Sequence, residues 1–379
     1  MDTSKNDLTL PLVSVIIPAY NAEAFIEKTL LSVLSQTYDR IEVLVVDDGS
    51  SDRTAEIVKS FAQQDRRIIF LQQSNAGVAA ARNLAIEKSS GEYIAPIDAD
   101  DIWYPQNLEK QVQCMLNSES SVGLVYSWSL DINREDLLTG GFYNSTIEGE
   151  VYKPLIYKYF IGNASSSLIR RVCLEKVGGY NCQLKAEKAQ GCEDWDLYLR
   201  IAEYYQFKVV PEFLVGYRQI TSSMSSNCAE MAKSHALLVA DIRQRHPEIS
   251  PSIYNWSSSK FYIYFASKNK HGKNYQGTLF WLYKALKADW LMTILHHNFY
   301  LLTIDSILKL IAQLLKPQFV QKSDSEIELD SASNSNSSGM KIADIERRMS
   351  IHKLLPSQVY ERIRLKRLGN DNSKRAIAI

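Results

Sequence analysis

Residues 12 to 101 alternate between strand-like and helix-like hydrophobic spacing, and this alternation restricts the fold more than any other feature of the chain. "LVSVIIPAY" (12–20) and "IEVLVVDDGS" (41–50) are β-branched runs stopped by Pro18 and by an acidic pair with a glycine. Both have the form of buried strands ending in polar loops. Between them Phe25, Ile26, Thr29, Leu30, Val33 and Leu34 recur at helical spacing, so the unit is strand, helix, strand with parallel pairing. The pattern continues with Ser51 or Asp52 placed to cap a helix through "RTAEIVKSFAQQ", a strand "RIIFLQQ", a helix "GVAAARNLAIEKS" and a fourth strand in "GEYIAPIDADD". The fold class is therefore α/β. Ligands of open α/β sheets sit beyond the carboxyl ends of the strands, where Tyr20, Asn21, Asp47, Asp48 and Asp98 to Asp101 collect.

From about residue 120 the alternation weakens. "VGLVYSWSL" reads as a strand, "SSSLIRRVCLEKVGGY" as a strand and short helix closed by Gly178 and Gly179, and "EDWDLYLRIAEYY" as a helix. The expected organisation is a tail at 1–10, the α/β domain at 11–230, a helical C-terminal region at 231–320, a flexible linker at 321–340 and a basic tail at 341–379. The linker is Ser-, Asp- and Asn-rich with too few apolar residues to fold, and the tail carries ten Lys or Arg against four Asp or Glu. A solvated tail and a membrane-surface or partner-binding segment are both consistent with that charge.

The formal net charge is +0 and the apolar fraction 45%, which gives no global signal for nucleic acid. The five cysteines contain no C-x-x-C pair, so neither a disulfide framework nor a thiolate zinc site is expected. "MDTSKNDLTLPLVSV" lacks the form of a secretory signal, which makes the cytoplasm the expected compartment. The apolar stretch Trp290–Leu315 is interrupted by His296, His297, Asn298, Asp305 and Lys309, and no transmembrane helix is expected from it. Adjacent His296 and His297 diverge on a helix and do not form a metal pair.

Asp98, Asp100 and Asp101 carry the chemistry. Two unit charges about 4 Å apart repel by roughly 4 kcal/mol at an effective dielectric near 20, so clustered carboxylates need solvent, cations or a metal. An Asp-x-Asp pair offers hard oxygen ligands, too few for a closed cage, which suits Mg²⁺ or Mn²⁺ completed by phosphates and water. The other reading is local: one of these aspartates caps the helix of "PQNLEKQVQCML", and Asp47 with Asp48 forms a turn. The acidic strand ends share their cleft with Arg82 of "NAGVAAARN" and with Tyr20, a set that suits a nucleoside diphosphate.

With "SVIIPAYNAE", "VLVVDDGSSDRT", "NAGVAAARN" and "DADD" in this order, the chain closely resembles glycosyltransferase family 2 over about residues 12 to 220. The resemblance implies a GT-A fold, a Rossmann-like, mostly parallel sheet flanked by helices. It also implies inverting transfer of a sugar from a nucleoside-diphosphate sugar, with Mn²⁺ or Mg²⁺. By that resemblance Pro18, Ala19 and Tyr20 form the loop against the base, Asp48 bonds the base, Asp98 lies near the ribose and Asp100 holds the metal. Arg82 is a further donor-side contact. Glu193 and Asp194 of "GCEDWDLYLRIAEYY" match the family's acidic pair, Asp194 taking the place of the general base, with Glu193 and Trp195 on the acceptor side. Asp196 should point around the helix. Many members have a histidine after the Tyr-Arg of their last motif, where "GYRQITSSMS" has Ile220, so the metal is expected to rest on Asp100, phosphate and water.

Neither a Gln-x-x-Arg-Trp motif nor multiple apolar spans occur, which favours transfer of a single sugar over polymerisation. The expected acceptor is a hydroxyl of a glycan or lipid-linked molecule in cell-surface polysaccharide or glycoconjugate synthesis, with no nucleic-acid partner. An enzyme peripheral on the inner membrane surface follows if the amphipathic 278–317 region and the tail hold an anionic bilayer. The alternatives are a catalytically silent nucleotide-sugar-binding protein of the same fold and a phosphoacceptor receiver domain built on "VVDDGS"; "DADD" fits the latter poorly.

Overall fold

The structure is a computed structural model and describes residues 10–220, 227–315, 342–354, 363–365 and 368. The chain divides into two compact units, one taking in the chain up to Asp136, Gly141–Leu155 and Tyr159–Ile220, the other Leu137–Gly140, Ile156–Lys158 and the chain after Ile220.

The first unit opens as the alternation predicts: β1 (Val13–Ala19), α1 (Ile26–Leu34), β2 (Ile41–Asp47), α2 (Thr54–Gln64), β3 (Ile68–Gln72), α3 (Val78–Lys88) and β4 (Tyr93–Pro96). Strands β1, β2, β3 and β4 pair in parallel, Ala19 opposite Asp47 and Asp47 opposite Gln72, so their carboxyl ends lie along one edge. Both faces of β1 and β2 are covered, which is why these strands carry near-continuous apolar, mostly β-branched runs rather than alternating. Val15, Ile17, Val43, Val45, Leu30 and Val33 belong to one core cluster.

The chain continues through β5 (Ile102–Trp103), α4 (Asn107–Leu116), β6 (Val122–Ile132), β7 (Leu138–Tyr143), α5 (Tyr152–Tyr157), β8 (Ser167–Arg170), α6 (Arg171–Val177), α7 (Gln183–Ala186), α8 (Glu193–Ala202) and β9 (Gln206–Arg218). The sheet order is β3-β2-β1-β4-β8-β6-β9-β5, with β7 off this path. Beyond β4 the sheet is mixed: β8 runs antiparallel to β4 and β6, β9 parallel to β6, and β5 antiparallel to β9. Strand β9 carries Pro211, and the register jumps from Ser127 opposite Val210 to Trp128 opposite Phe213, so the residue without an amide proton sits in the bulge.

The second unit is helical: α9 (Cys228–Arg245), α10 (Pro251–His271), α11 (Tyr275–Ala288), α12 (Trp290–Ile294), α13 (His297–Leu315) and α14 (Ile342–Leu354). Asn227, Asn274 and Asp289 cap α9, α11 and α12 by accepting the amides of Glu230, Gly277 and Met292. Ala266, Leu282 and Leu302 form its packed centre, flanked by Leu279, Trp281 and Phe299. The linker expected at 321–340 lies outside the described residues, as does most of the tail.

Among the described residues one helix, α13 over Asn298–Leu315, is long and apolar enough to cross a membrane by length and composition alone. The interruptions counted over Trp290–Leu315 included His296, which precedes the helix, and His297 and Asn298 at its first turn, leaving only Asp305 and Lys309 as charges inside it. A long apolar helix and a spanning helix differ in surroundings, however, and Leu302 packs on Ala266 and Leu282.

Gly91 shows how closely β4 is laid beside β1. A methyl group added there would meet Ser14 Oγ at 2.5 Å and the Leu12 carbonyl and Ser14 amide at 2.7 Å, mostly backbone that cannot turn aside. Gly91→Ala should lower unfolding stability by about 1–3 kcal/mol, read from the denaturant midpoint at unchanged m-value.

Candidate active site

The edge formed by the carboxyl ends of β1, β2 and β4 gathers the residues singled out in the sequence. After β1, Pro18 is half-buried, Ala19 is buried and Tyr20 is 54% exposed, which leaves a ring free to stack. Asn21 adopts a positive φ of 48° and its side chain accepts the Ser51 amide, which ties this loop to the turn after β2.

Asp47 is buried and accepts from Ser50 N at 3.1 Å and Gln72 Nε2 at 2.9 Å, a turn-forming role. Asp48 is 4% exposed, and its carboxylate takes Gln73 Nε2 at 2.7 Å and the amides of Ala76 and Gly77 at 2.8 Å each. Whatever Asp48 does toward a base, it has a positioning role in the fold. Its oxygens hold the 75–77 loop that leads into α3, where Gly77 supplies the positive φ of 93°.

The acid cluster separates into three environments. Asp98 pairs with Arg82 at 2.5 Å. Asp101 is fully buried and accepts from Ser165 Oγ at 2.5 Å and the Arg218 amide at 2.8 Å. It does not cap α4, whose first residue follows Gln106 with no side-chain cap, so that expectation is corrected. The reason is distance along the chain: β5 intervenes, and the carboxylate is drawn to β9 instead.

Asp100 is half-buried and has no ion pair among the described residues, and its backbone carbonyl accepts Arg218 Nε at 2.6 Å. Burial first, then the neighbouring Asp98 charge, pushes its carboxyl well above the usual carboxylate range. A desolvated carboxylate beside a like charge is what a divalent cation would relieve, so the donor chemistry fits such an ion. Among the described residues no three His, Cys, Asp or Glu side chains gather into a cage, so the protein would offer hard oxygen from one side.

Arg82 joins this cluster to the second acidic site. Its side chain is almost wholly buried and stacks over the Tyr180 ring at 5.0 Å; burial works against its charge, and Asp98, Tyr180, Asp194 and Tyr198 together more than offset that and keep it protonated. Its Nε has no hydrogen-bond partner among the described residues, an unspent donor inside the cleft.

At the start of α8, Asp194 is half-buried and accepts Tyr159 Oη at 2.5 Å and the Trp195 amide at 2.9 Å. Burial raises its proton affinity, while the Arg82 charge and the Tyr159 bond work against that rise. Tyr159 was not legible from sequence, since nothing local marks it. It is stacked on Trp195 at 5.5 Å and on Tyr198 at 6.3 Å. Trp195 itself is buried and donates to the Leu155 carbonyl at 2.9 Å, which corrects its placement as a wall of the cleft. Glu193 is buried, accepts the Gly191 amide at 2.8 Å and keeps its other oxygen unpartnered among the described residues. Asp196 pairs with Arg200 at 2.7 Å on the other side of the helix, as its spacing implies.

Arg218 is the second residue that sequence reasoning missed, although it stands in the "GYRQ" stretch. It is 2% exposed, pairs with Asp136 at 2.5 Å, lies over the Phe25 ring at 4.8 Å and donates to the Asn133 carbonyl. Ile220 ends the described part of the first unit.

The family model for glycosyl transferase family 2 matches residues 14–178. An uncharacterized glycosyltransferase of Methanocaldococcus jannaschii is 32% identical over 216 residues, 56% of this chain and 72% of the relative. TuaG of Bacillus subtilis, named as a teichuronic acid biosynthesis glycosyltransferase, is 31% identical over 62% of this chain and 90% of its own length. Among solved structures, TarS 1–349 of S. aureus in complex with UDP-GlcNAc superposes with a TM-score of 0.53 at 17% identity, covering 78% of this chain and 88% of TarS. The mannosyltransferase PcManGT of Pyrobaculum calidifontis, in complex with GDP-Man and Mn²⁺, gives 0.50 at 21% identity, covering 80% and 86%. The motif order, the parallel half-sheet with its acidic edge and these relatives agree: the chain belongs to glycosyl transferase family 2 and is a glycosyltransferase of GT-A fold.

Proposed function

We propose that this glycosyltransferase moves one sugar, with inversion, from a nucleoside-diphosphate sugar to a hydroxyl of a glycan or lipid-linked acceptor. The observation that carries the reading is Arg82: one buried guanidinium pairs with Asp98 and lies close enough to Asp194 to lower its proton affinity. In this reading the donor-side acids and the acid of α8 work in one cleft around that charge. The name of TuaG, a teichuronic acid biosynthesis glycosyltransferase, supports a product in cell-surface polysaccharide. Structures of like fold that hold UDP-GlcNAc, or GDP-Man with Mn²⁺, support the donor class and the cation.

Each residue has a distinct task in this reading. Tyr20 stacks on the base, with Pro18 and Ala19 shaping the loop, and Asp98 approaches the ribose while tethered to Arg82. Asp100 would hold Mn²⁺ or Mg²⁺, which when bound offsets the charge developing on the departing diphosphate. Asp194 takes the proton of the acceptor hydroxyl as that oxygen attacks the anomeric carbon from the face opposite the diphosphate. The carbon–oxygen bond to the diphosphate breaks as the new one forms. Tyr159 orients the carboxylate that receives the proton.

The test is release of nucleoside diphosphate from a panel of nucleotide sugars with Mn²⁺, with the anomeric configuration of the product read by NMR. Asp194→Asn and Asp100→Ala should each reduce transfer by about 10²-fold or more, whereas only Asp100→Ala should abolish the Mn²⁺-dependent thermal shift given by the donor. Retained transfer in Asp194→Asn, or a retained anomer, would overturn the mechanism. EDTA should stop turnover and Mn²⁺ restore it, while titration of Mn²⁺ into the donor-free protein should give only weak binding.

The pH profile follows from the raised proton affinity of Asp194. A base must be deprotonated to act, so activity is lost as pH falls through its pKa, and a raised pKa moves that loss upward. The acidic limb of kcat/KM should therefore lie above the ordinary range for aspartate, near 4. Tyr159→Phe removes a hydrogen bond to the ionised form and should move the limb further up.

A further inference from the structure

We infer that the helical unit carries an interfacial docking surface for an anionic lipid bilayer, formed by exposed faces of α11, α12 and α13. The inference rests on this unit alone and not on the reading of the cleft. Thirteen of the 24 large apolar side chains exposed among the described residues fall between 280 and 315, a far denser patch than single exposed residues make elsewhere. On α13 the exposed positions Leu301, Ile304, Leu308, Ile311 and Leu315 recur every three or four residues, one stripe along the helix. On α11 the exposed Phe280 and Tyr283 lie beneath Lys284 and Lys287, whose Nζ atoms stand 5.6 and 4.9 Å from the ring centroids. Trp290 of α12 is 64% exposed.

Charge complementarity selects the occupant. The whole chain carries a formal net charge of +0, yet α11 to α13 hold Lys284, Lys287 and Lys309 against Asp289 and Asp305, and the end of α10 with the turn before α11 adds Lys268, Lys270 and Lys273, a difference of +4 over residues 268–315. Both acids are spent internally: Asp289 caps α12, and Asp305 pairs with Lys270 at 3.2 Å. Apolar and aromatic side chains interleaved with lysines are the composition of a helix lying in the headgroup region, where rings sit at the interface and ammonium groups meet lipid phosphate. A protein partner or a second copy would need no such excess of one sign. Crossing the bilayer is disfavoured by packing in the first half of α13, where Leu302 is committed to Ala266 and Leu282 and Asp305 to Lys270, so that there the helix offers lipid one face and not its whole circumference.

The experiment is co-sedimentation of the full chain with vesicles of phosphatidylcholine alone and of phosphatidylcholine with phosphatidylglycerol, at two salt concentrations. The protein should bind the anionic vesicles, lose most binding on the neutral ones and release in high salt or alkaline carbonate. Ile304→Asp with Leu308→Asp, and separately Lys284→Glu with Lys287→Glu, should each weaken binding about tenfold or more. Because these side chains are exposed, Tm and diphosphate release with a soluble acceptor should stay unchanged. Four outcomes would overturn the inference: no vesicle binding at any composition, binding unaffected by the α13 pair, resistance to carbonate, or an oligomer that the α13 pair dissolves without altering vesicle binding. A protein that failed to turn over any donor would still give an interpretable vesicle result, so this inference and the transferase mechanism fail separately.

Discussion

A buried carboxylate governs the geometry of the acidic edge. Asp101 has no solvent, and an ionised or protonated carboxyl so placed must find its partners in the protein. It finds them in Ser165 and in the Arg218 amide, residues 64 and 117 positions away, and thereby joins the end of β4 to β9 and to the turn before β8. Trp103 adds a bond to the Ser165 carbonyl at 2.7 Å, and Ser165 donates its hydroxyl to Asp101 while accepting the Asp98 amide. Asp98 and Asp100 keep their positions because the residue beside them cannot move.

The parallel half of the sheet was legible because β1 and β2 are covered on both faces and α1 and α2 are amphipathic, so periodicity distinguishes them. The mixed half was less so. Strand β9 contains Pro211 and Glu212, which read as a break, and only the bulge that absorbs them lets the strand continue. The site divides in the same way. Asp98, Asp100, Arg82 and Asp194 stand in recognisable local patterns, whereas the roles of Asp48, Asp101, Trp195, Tyr159 and Arg218 depend on partners brought from distant parts of the chain. Spacing identifies a carboxylate; it does not say whether backbone amides have already claimed its lone pairs.

Arg82 shows how one residue sets the electrostatics of both acidic positions. A guanidinium this deeply buried is sustained by Asp98, yet its Nε is unsatisfied among the described residues and its charge reaches Asp194. The arrangement is poised rather than neutralised. Complete pairing would have cancelled the field inside the cleft, and an unpaired arginine would not have stayed charged at that burial.

Strand β5 has consequences for how the protein is made. It is two residues long and pairs only with β9, Ile102 against Gly216 and Trp103 against Val215, so the segment bearing the acids has no sheet neighbour until Arg218 has left the ribosome. During synthesis the parallel half can collapse early, since β1 to β4 and their helices are contiguous in sequence. The acidic edge must wait, solvated, for more than a hundred further residues to arrive. A nascent chain arrested before β9 would carry a nearly complete parallel framework whose clustered aspartates have no fixed geometry.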